Sequence, residues 1–312
     1  MKNRPLPTVR QMRHFVALKD HENFSRAAEI CLVEQSSLSA SIRELENLLG
    51  RQVVERTKRR VTFTPLGNEL AERFRRILRD TEDSVDLVAA SEAPLSGDLR
   101  LGVIPTIGPF LLPRLLPQLR KDYPELRLYL REEQTDTVLT KLRSGDLDAV
   151  IMALPYETSG LTARTVANDP FFVVLPRGHE FAEQESIHLK TLQAEPPLLL
   201  EDGHCLKDHA MSVCNLKPEG AAAVEATSLN TLVYMVEGGL GITLLPKLAI
   251  DAGLLRGIRV DCRPLAGGER GRDIGLIWRS QSARAAEFEL LGDLIAAELG
   301  TPVSPRKRGG KT

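Results

Sequence analysis

The amino-acid sequence predicts an α/β protein in which a small, mostly helical module and a long helix precede a larger domain. Three observations lead to this prediction: short amphipathic helices up to residue 50, an apolar stripe over residues 66–88, and alternating strands and helices from residue 98. The 312 residues are 42% apolar and 27% charged, which is typical of globular proteins. This length suits one or two ordinary domains plus a small extra module.

The first 64 residues read as three short helices and a hairpin. The third helix, QSSLSASIRELENLLG, has a buried stripe that ends at Gly50 and consists of Leu38, Ile42, Leu45 and Leu49. Its opposite face carries small polar residues followed by Arg43. Such a face suits a recognition helix that approaches the major groove of DNA, and a plain solvated face is the alternative.

Charge is distributed unevenly along the chain. Residues 1–66 contain twelve Lys/Arg and seven Asp/Glu, whereas the remainder contains 29 and 35. A basic block on an otherwise acidic chain indicates contact with a polyanion, with an ordinary surface as the alternative. QVVERTKRRVTFT predicts two strands around the basic turn 57–60, a wing that contacts phosphates. The predicted DNA-binding residues are Arg26, Gln35, Ser36, Ser37, Ser39, Arg43, Lys58, Arg59 and Arg60.

A long helix is expected from the cap formed by Thr64 and Pro65 to about residue 91. Its apolar stripe consists of Leu66, Leu70, Phe74, Ile77, Val85 and Val88. A helix of this length on so small a module can bury the stripe only against another element, and a second chain is the expected partner. From residue 98 the strand–helix alternation predicts parallel sheets, enough chain for two lobes around a cleft.

No apolar run reaches the length of a signal peptide or a membrane helix, so we expect a soluble, cytoplasmic protein. Four cysteines are too few for a disulfide framework, and buried thiols are their ordinary state in a reducing compartment. We therefore expect Cys31 and Cys262 to be core or incidental thiols without a redox role.

Taken together, the motifs resemble those of the LysR-type transcriptional regulators. They are FSRAAEICLVEQSSLSASIRELENLLG, RTKRRVTFTPLG and GGLGITLLP, and the resemblance covers nearly the whole chain. It implies a winged helix-turn-helix over residues 1–64, a dimerising linker helix over 65–92 and a two-lobed, periplasmic-binding-protein-like (type 2) effector domain over 93–300. Lobe I would comprise 93–168 and 270–300, lobe II 169–269, and 301–312 would be a disordered basic tail. The implied partners are operator DNA, RNA polymerase and three further copies in a dimer of dimers, without enzymatic activity.

Within that family, LGVIPTIGPFLLP, EEQT, LLLEDGHCLKDHAMSVC and IGLIWR are similar to the branch that senses hydrogen peroxide. The resemblance implies that Cys205 reacts with peroxide and that Cys214 resolves the product as a disulfide. That disulfide would change the tetramer and its operator contacts at oxidative-stress genes, as activator or repressor. The implied pocket residues are Thr106, Thr135, His204, Lys207, Asp208 and Arg279.

Physical chemistry indicates unequal roles for the two cysteines. Cys205 is expected at a helix amino terminus, where the helix dipole, Lys207 and His204 would lower its pKa. Cys214 falls on the apolar side of the same helix and should be inert there. Nine helical steps place their Cα atoms about 13 Å apart along the axis, whereas a disulfide needs about 7 Å or less. A helix spanning both cysteines therefore excludes the bond, and oxidation must unfold this segment.

Three alternatives remain open at this stage. A zinc site built from His204, Cys205, His209 and Cys214 is conceivable but matches no standard spacing, so we expect no metal and no cofactor. The chain could be a LysR-type regulator whose cleft between the lobes binds a small-molecule effector, with incidental thiols. A thiol peroxidase is the third class, and it would have no use for a DNA-binding module.

Overall fold

The computed structural model describes residues 5–56, 61–90, 94–195, 197–214, 225–267 and 270–300. The chain divides into two compact units, Met1–Val88 and Ala89–Thr312. The predicted basic turn at 57–60 and the predicted tail at 301–312 lie outside the described residues.

The first unit is a helical module with a small hairpin. Its elements are α1 (Val9–His21), α2 (Phe24–Ile30), α3 (Gln35–Leu49), β1 (Val54–Arg56), β2 (Val61–Phe63) and α4 (Pro65–Ala90). The two strands pair antiparallel, which confirms the predicted hairpin. Thr64 Oγ1 accepts a hydrogen bond of 3.0 Å from the Gly67 amide at the start of α4, which confirms the predicted cap.

The prediction that the whole apolar stripe of α4 is buried by a second chain is wrong for the first part of this helix. Ala71 and Phe74 are buried in the same apolar core as Phe15 of α1, so this part of α4 packs against its own module. Ile77 and Val85 are 43% and 68% exposed and keep the surface on which a partner helix was predicted. The side chain of Val88 lies outside the described residues.

The second unit is an α/β domain, as predicted. Its elements are β3 (Gly97–Val103), α5 (Gly108–Asp122), β4 (Leu126–Glu132), α6 (Thr135–Ser144), β5 (Ala149–Leu154), β6 (Leu161–Pro176), a 3₁₀ turn (Glu180–Glu183), α7 (Leu189–Ala194), β7 (Leu199–Leu200), α8 (Cys205–Cys214), β8 (Glu225–Ala226), α9 (Leu229–Glu237), β9 (Thr243–Pro246), α10 (Lys247–Asp251), β10 (Val260–Pro264), β11 (Gly271–Arg279) and α11 (Ala285–Glu298).

The main sheet of this unit is mixed, which corrects the prediction of parallel sheets, while β7 and β8 form a separate two-stranded parallel sheet. Over the described residues the order of the main sheet is β10-β6-β11-β5-β3-β4, with β9 also paired to β6. Among the described residues of the main sheet, parallel pairing is confined to β3 with β4 and β5, while β11, β9 and β10 pair antiparallel with their neighbours. The long strand β6 accounts for this, because its first part pairs with β11 and its last part with β9 and β10.

Candidate functional site

The site lies where the amino termini of α8 and α6 meet the carboxyl end of β5. Helix α8 begins at Cys205 and ends at Cys214, so the predicted helix spanning both cysteines is confirmed. The preceding Gly203 has a φ of 94°, a left-handed conformation that favours glycine. A Cβ atom at Gly203 would lie 2.7 Å from Gln134 Oε1, so glycine also permits the close approach of the segment leading into α6.

Cys205 is 3% exposed, and one cation and two hydrogen-bond donors act on its thiol. Burial raises the pKa of Cys205, which is opposed, in order of effect, by the Arg272 guanidinium, the Thr135 side chain and the backbone amide of Ala153. The prediction of a lowered pKa is therefore wrong for this conformation, because desolvation outweighs the donors. The site keeps the thiol protonated but holds donors ready for a thiolate.

Arg272 on β11 is the cation beside Cys205, and the sequence motifs did not indicate it. The side chain is 1% exposed and its nitrogens make three separate hydrogen bonds. Its Nε bonds Asp169 Oδ2 at 3.1 Å, Nη1 bonds Thr106 Oγ1 at 2.7 Å and Nη2 bonds Thr106 O at 2.8 Å. Asp169 Oδ1 in turn accepts from the Leu248 amide at 2.9 Å. These contacts from three different nitrogens hold the guanidinium in one orientation.

Arg279 does not lie near the amino terminus of α6, where Thr135 contacts Cys205. Its predicted place in the peroxide pocket is therefore corrected. Its Nη1 donates to Leu142 O at 3.1 Å and to Leu147 O at 2.6 Å, at the carboxyl end of α6. Thr135 lies seven residues earlier, so the two ends of α6 are about 10 Å apart along the helix. The seven-residue offset between Arg272 and Arg279 is odd, and odd offsets along a strand point to opposite faces of a sheet.

Lys207 and His204 lie close to Cys205 in sequence but do not supply the positive charge predicted for them. Lys207 Nζ bonds Asp202 Oδ1 at 2.7 Å and also Glu225, and these contacts raise the pKa of Lys207. His204 is buried, and burial lowers its pKa, so its imidazole is neutral near pH 7. Neither residue is therefore a cation free to stabilise a thiolate.

The remaining predicted pocket residues fall into two groups. Thr106 and Thr135 are both 2% exposed and contact Arg272 and Cys205, respectively. Asp208 is exposed, and its negative charge raises the pKa of Cys205 rather than lowering it. The side chain of Cys214 lies outside the described residues. Tyr156, which the motifs missed, lies near Cys205 and donates to Asp136 Oδ1 at 2.6 Å.

The first unit presents the polar face of α3 as a candidate nucleic-acid interface. Gln35, Ser36 and Ser37 are exposed, Ser39 is half-buried, and Arg43 is exposed with Nη2 donating to Ser39 Oγ at 3.3 Å. Gln35 accepts from Ser25 Oγ at 2.9 Å, and Arg26 pairs with Glu29 at 3.4 Å. The predicted wing residues Lys58, Arg59 and Arg60 lie outside the described residues.

Two other kinds of site were sought in the part of the chain that the structure describes. No group of three His, Cys, Asp or Glu side chains there could hold a metal ion, so the described residues do not support the zinc alternative. None of the helices described is long and apolar enough to cross a bilayer.

Comparison with known proteins identifies the family. The lysR-family bacterial regulatory helix-turn-helix model matches residues 9–68, and the LysR substrate binding domain matches residues 92–300. A hydrogen peroxide-inducible genes activator from Escherichia coli O6:H1 is 39% identical, covering 93% of this chain and 95% of that protein. The HTH-type transcriptional regulator EstR from Acinetobacter baylyi is 38% identical, covering 93% and 96%.

A solved structure supports the same grouping. The full-length structure of an OxyR variant from Pseudomonas aeruginosa is similar with a TM-score of 0.77 and 33% identity, covering 93% of this chain and 95% of that one. Both the sequence match and the structural match extend over the DNA-binding module and the α/β domain. The chain therefore belongs to the LysR family of transcriptional regulators, and within that family to the OxyR branch.

Proposed function

We propose that this chain is a DNA-binding transcriptional regulator that senses hydrogen peroxide by oxidation of Cys205. The observation that carries the proposal is the convergence of Arg272, the Thr135 side chain and the Ala153 amide on one buried thiol at a helix amino terminus. Donors held in place before reaction stabilise a charge that develops during it. The description of a 39% identical relative as a hydrogen peroxide-inducible genes activator supports the same function.

The chemistry proceeds in two balanced steps. The Cys205 thiolate attacks one oxygen of hydrogen peroxide, the O–O bond breaks, and the products are a sulfenic acid on Cys205 and hydroxide, which takes a proton to become water. The Cys214 thiolate then attacks the Cys205 sulfur, forming the disulfide and releasing a second hydroxide. Sulfur is oxidised and peroxide is reduced, with no external electron donor.

The second step requires a change of fold. In α8 the two Cα atoms are about 13 Å apart along the axis, and a disulfide needs about 7 Å or less. Formation of the bond therefore requires α8 to unwind, and the chain then has two conformations selected by redox state. A thiol that reacts once and stays oxidised makes this protein a sensor rather than an enzyme.

The remaining parts of the proposal concern assembly and DNA. A winged helix-turn-helix (1–64), a linker helix (65–92) and an effector domain (93–300) would form a cytoplasmic dimer of dimers. Unwinding of α8 would change the spacing of the recognition helices, hence the half-sites they contact. The polar face of α3 and its exposed Arg43 support the DNA contact. RNA polymerase would be the partner that reads the change at the promoter.

The test is a titration of free thiols before and after one equivalent of hydrogen peroxide, in wild type and in Cys205→Ser. We expect wild type to lose two thiols and Cys205→Ser to lose none, with Cys262→Ser as a matched control that behaves like wild type. Operator footprints under reducing and oxidising conditions should also differ in length. A wild type that keeps its thiols, with unchanged footprints, would instead support a small-molecule effector bound between the lobes.

A further inference from the structure

A second histidine of α8, His209, lies one helical turn after Cys205 and is not used by the chemistry above. Its Nε2 is 3.0 Å from the carbonyl oxygen of Pro155. A carbonyl oxygen only accepts hydrogen bonds, so in the neutral ring Nε2 carries the hydrogen and Nδ1 is an acceptor. His209 is 7% exposed, and its Nδ1 has no hydrogen-bond partner among the described residues. A buried acceptor without a partner is costly unless a small molecule satisfies it.

A second such atom, Thr135 Oγ1, also lies close to Cys205. Thr135 is 2% exposed, and its hydroxyl acts on the thiol, lowering the pKa of Cys205. Within the described ranges, however, no group completes a well-formed hydrogen bond to Thr135 Oγ1. Two buried polar atoms with unmet hydrogen bonding therefore belong to the immediate surroundings of one thiol.

The register between α8 and the end of β5 brings His209 into line with Cys205. The thiol of Cys205 meets the Ala153 amide, and the imidazole of His209 meets the Pro155 carbonyl, two residues further along. Four residues of helix rise about 6 Å and two residues of strand about 6.6 Å, so the two contacts stay in step. Both side chains thus face the same end of the same strand.

We propose that His209 is a peroxide-binding residue, whose Nδ1 accepts a hydrogen bond from one O–H of hydrogen peroxide while the Thr135 hydroxyl contacts its other oxygen. The other polar groups that converge on the thiol are donors: the Arg272 guanidinium and the Ala153 amide. Hydrogen peroxide carries two O–H donors of its own and needs at least one acceptor to be held in a fixed orientation. The proposal rests on the proposed function and adds to it the residue that orients the oxidant.

The surroundings of His209 keep its ring in the neutral form that this role needs. Burial has the largest effect and lowers the pKa of His209, and Arg272 on β11 lowers it further. The Pro155 carbonyl and the exposed Asp208 on α8 raise it. Burial, the hydrogen bond to Asp136 of α6 and then the charges of Cys205 and Asp208 raise the pKa of Tyr156, which directly follows Pro155. Protonation at lower pH would convert Nδ1 from an acceptor into a donor.

The test compares two reagents that need the same Cys205 thiolate. Hydrogen peroxide donates O–H hydrogen bonds, whereas methyl methanethiosulfonate has no O–H group and transfers a methylthio group to the thiolate with loss of methanesulfinate. Peptide mass spectrometry of the full-length protein follows Cys205 with each reagent. We expect His209→Leu to slow the reaction with peroxide about tenfold and that with the thiosulfonate less than about twofold, since one hydrogen bond is lost.

His209→Gln is the matched control, because its amide group can donate to the Pro155 carbonyl and still present an acceptor. We expect it to react with peroxide within about threefold of wild type. Equal slowing of both reagents in His209→Leu would overturn the proposal in favour of a structural role, as would no slowing of either. A wild-type Cys205 that does not react with peroxide at all would overturn the proposed function itself.

A measurement on wild type keeps the proposal testable if His209→Leu does not fold. The ratio of the two rate constants cancels the thiolate fraction, so it reports on recognition of peroxide alone. Because burial lowers the pKa of His209 below its ordinary value, we expect this ratio to be level near neutral pH, to fall in wild type at acidic pH as His209 is protonated, and to stay level throughout in His209→Gln. A ratio that stays level at a pH where the imidazole NMR signals show His209 to be protonated would contradict the proposal, as would an equal fall in His209→Gln.

Discussion

Two thiols of the α/β domain, Cys205 and Cys262, both have a raised pKa but differ in burial and in their neighbours, since Cys205 is buried and Cys262 is half-buried. Burial raises the pKa of both, in Cys262 to about 11. Cys262 lies within β10 and pairs with Val174 of β6. The positive charge of Arg263 opposes part of the rise in the pKa of Cys262 that burial causes. The guanidinium of Arg263 is bound by the carbonyl oxygens of Gln184, Ala182 and Cys262 itself. Cys205 instead has Arg272, the Thr135 side chain and the Ala153 amide.

Desolvation therefore keeps a thiol protonated, and donors held in fixed positions make it reactive toward peroxide. Arg272 is held by Asp169 and Thr106 before any charge appears on Cys205, so little reorganisation is needed when the thiolate forms. Cys262, a half-buried thiol in a strand without that arrangement, is an ordinary packing residue.

Arg272→Met should have the largest effect, because it removes the cation and leaves Asp169 as a buried charge with 2% exposure. We expect the free energy of unfolding to fall by about 3–5 kcal/mol and oxidation of Cys205 by peroxide to slow at least about a hundredfold. Urea unfolding and peptide-resolved oxidation rates measure the two effects.

Arg279→Met is the matched control on the same strand. It removes the contacts to Leu142 O and Leu147 O and should leave Cys205 oxidation within about threefold of wild type. Adding Asp169→Asn to Arg272→Met should restore stability without restoring reactivity. If the two arginine variants slow Cys205 equally, the assignment of Arg272 is wrong.

Alkylation at different pH values and oxidation by peroxide should distinguish Cys262 from Cys205. An acid whose pKa is raised is neutral at neutral pH, and its thiolate fraction grows about tenfold per pH unit until the pKa is reached. We expect iodoacetamide to label Cys262 with that slope up to about pH 11 while the protein stays folded. With peroxide near neutral pH, Cys205 should be oxidised and Cys262 spared. Oxidation of both at similar rates would mean that the donors confer no advantage.

Lys207→Ala should have the smallest effect on reactivity. Lys207 is engaged by Asp202 and Glu225, so its removal should change the rate of Cys205 oxidation by less than about twofold. Lys207→Arg, which keeps the charge, is the control. A tenfold loss in Lys207→Ala that Lys207→Arg repairs would show that the cation reaches the thiol after all.

Local features of this chain were predictable from the sequence, and the long-range contacts of the site were not. The spacing of Cys205 and Cys214 predicted α8, and Thr64 with Pro65 predicted the start of α4, because caps and helical periodicity act over a few residues. Arg272 was missed because it meets Thr106 across 166 residues of chain, a contact that no local pattern encodes.

The predicted pKa of Cys205 was wrong for a similar reason. The helix dipole and the neighbouring charges are readable from the sequence, but the depth of burial is not, and desolvation has the largest effect on this thiol. Lys207 and His204 were assigned to Cys205 because they are close in sequence. The structure turns Lys207 toward Asp202 and Glu225, and burial leaves His204 neutral.

Amide hydrogen exchange over residues 209–214, before and after one equivalent of hydrogen peroxide, tests whether α8 unwinds when the disulfide forms. In the reduced protein these amides lie within α8 and should be protected by its hydrogen bonds. We predict that protection is lost when the Cys205–Cys214 disulfide forms and that it returns on reduction, while α6 stays protected throughout. Amides that remain protected in disulfide-linked protein would contradict the account, because the helix and the bond would then coexist.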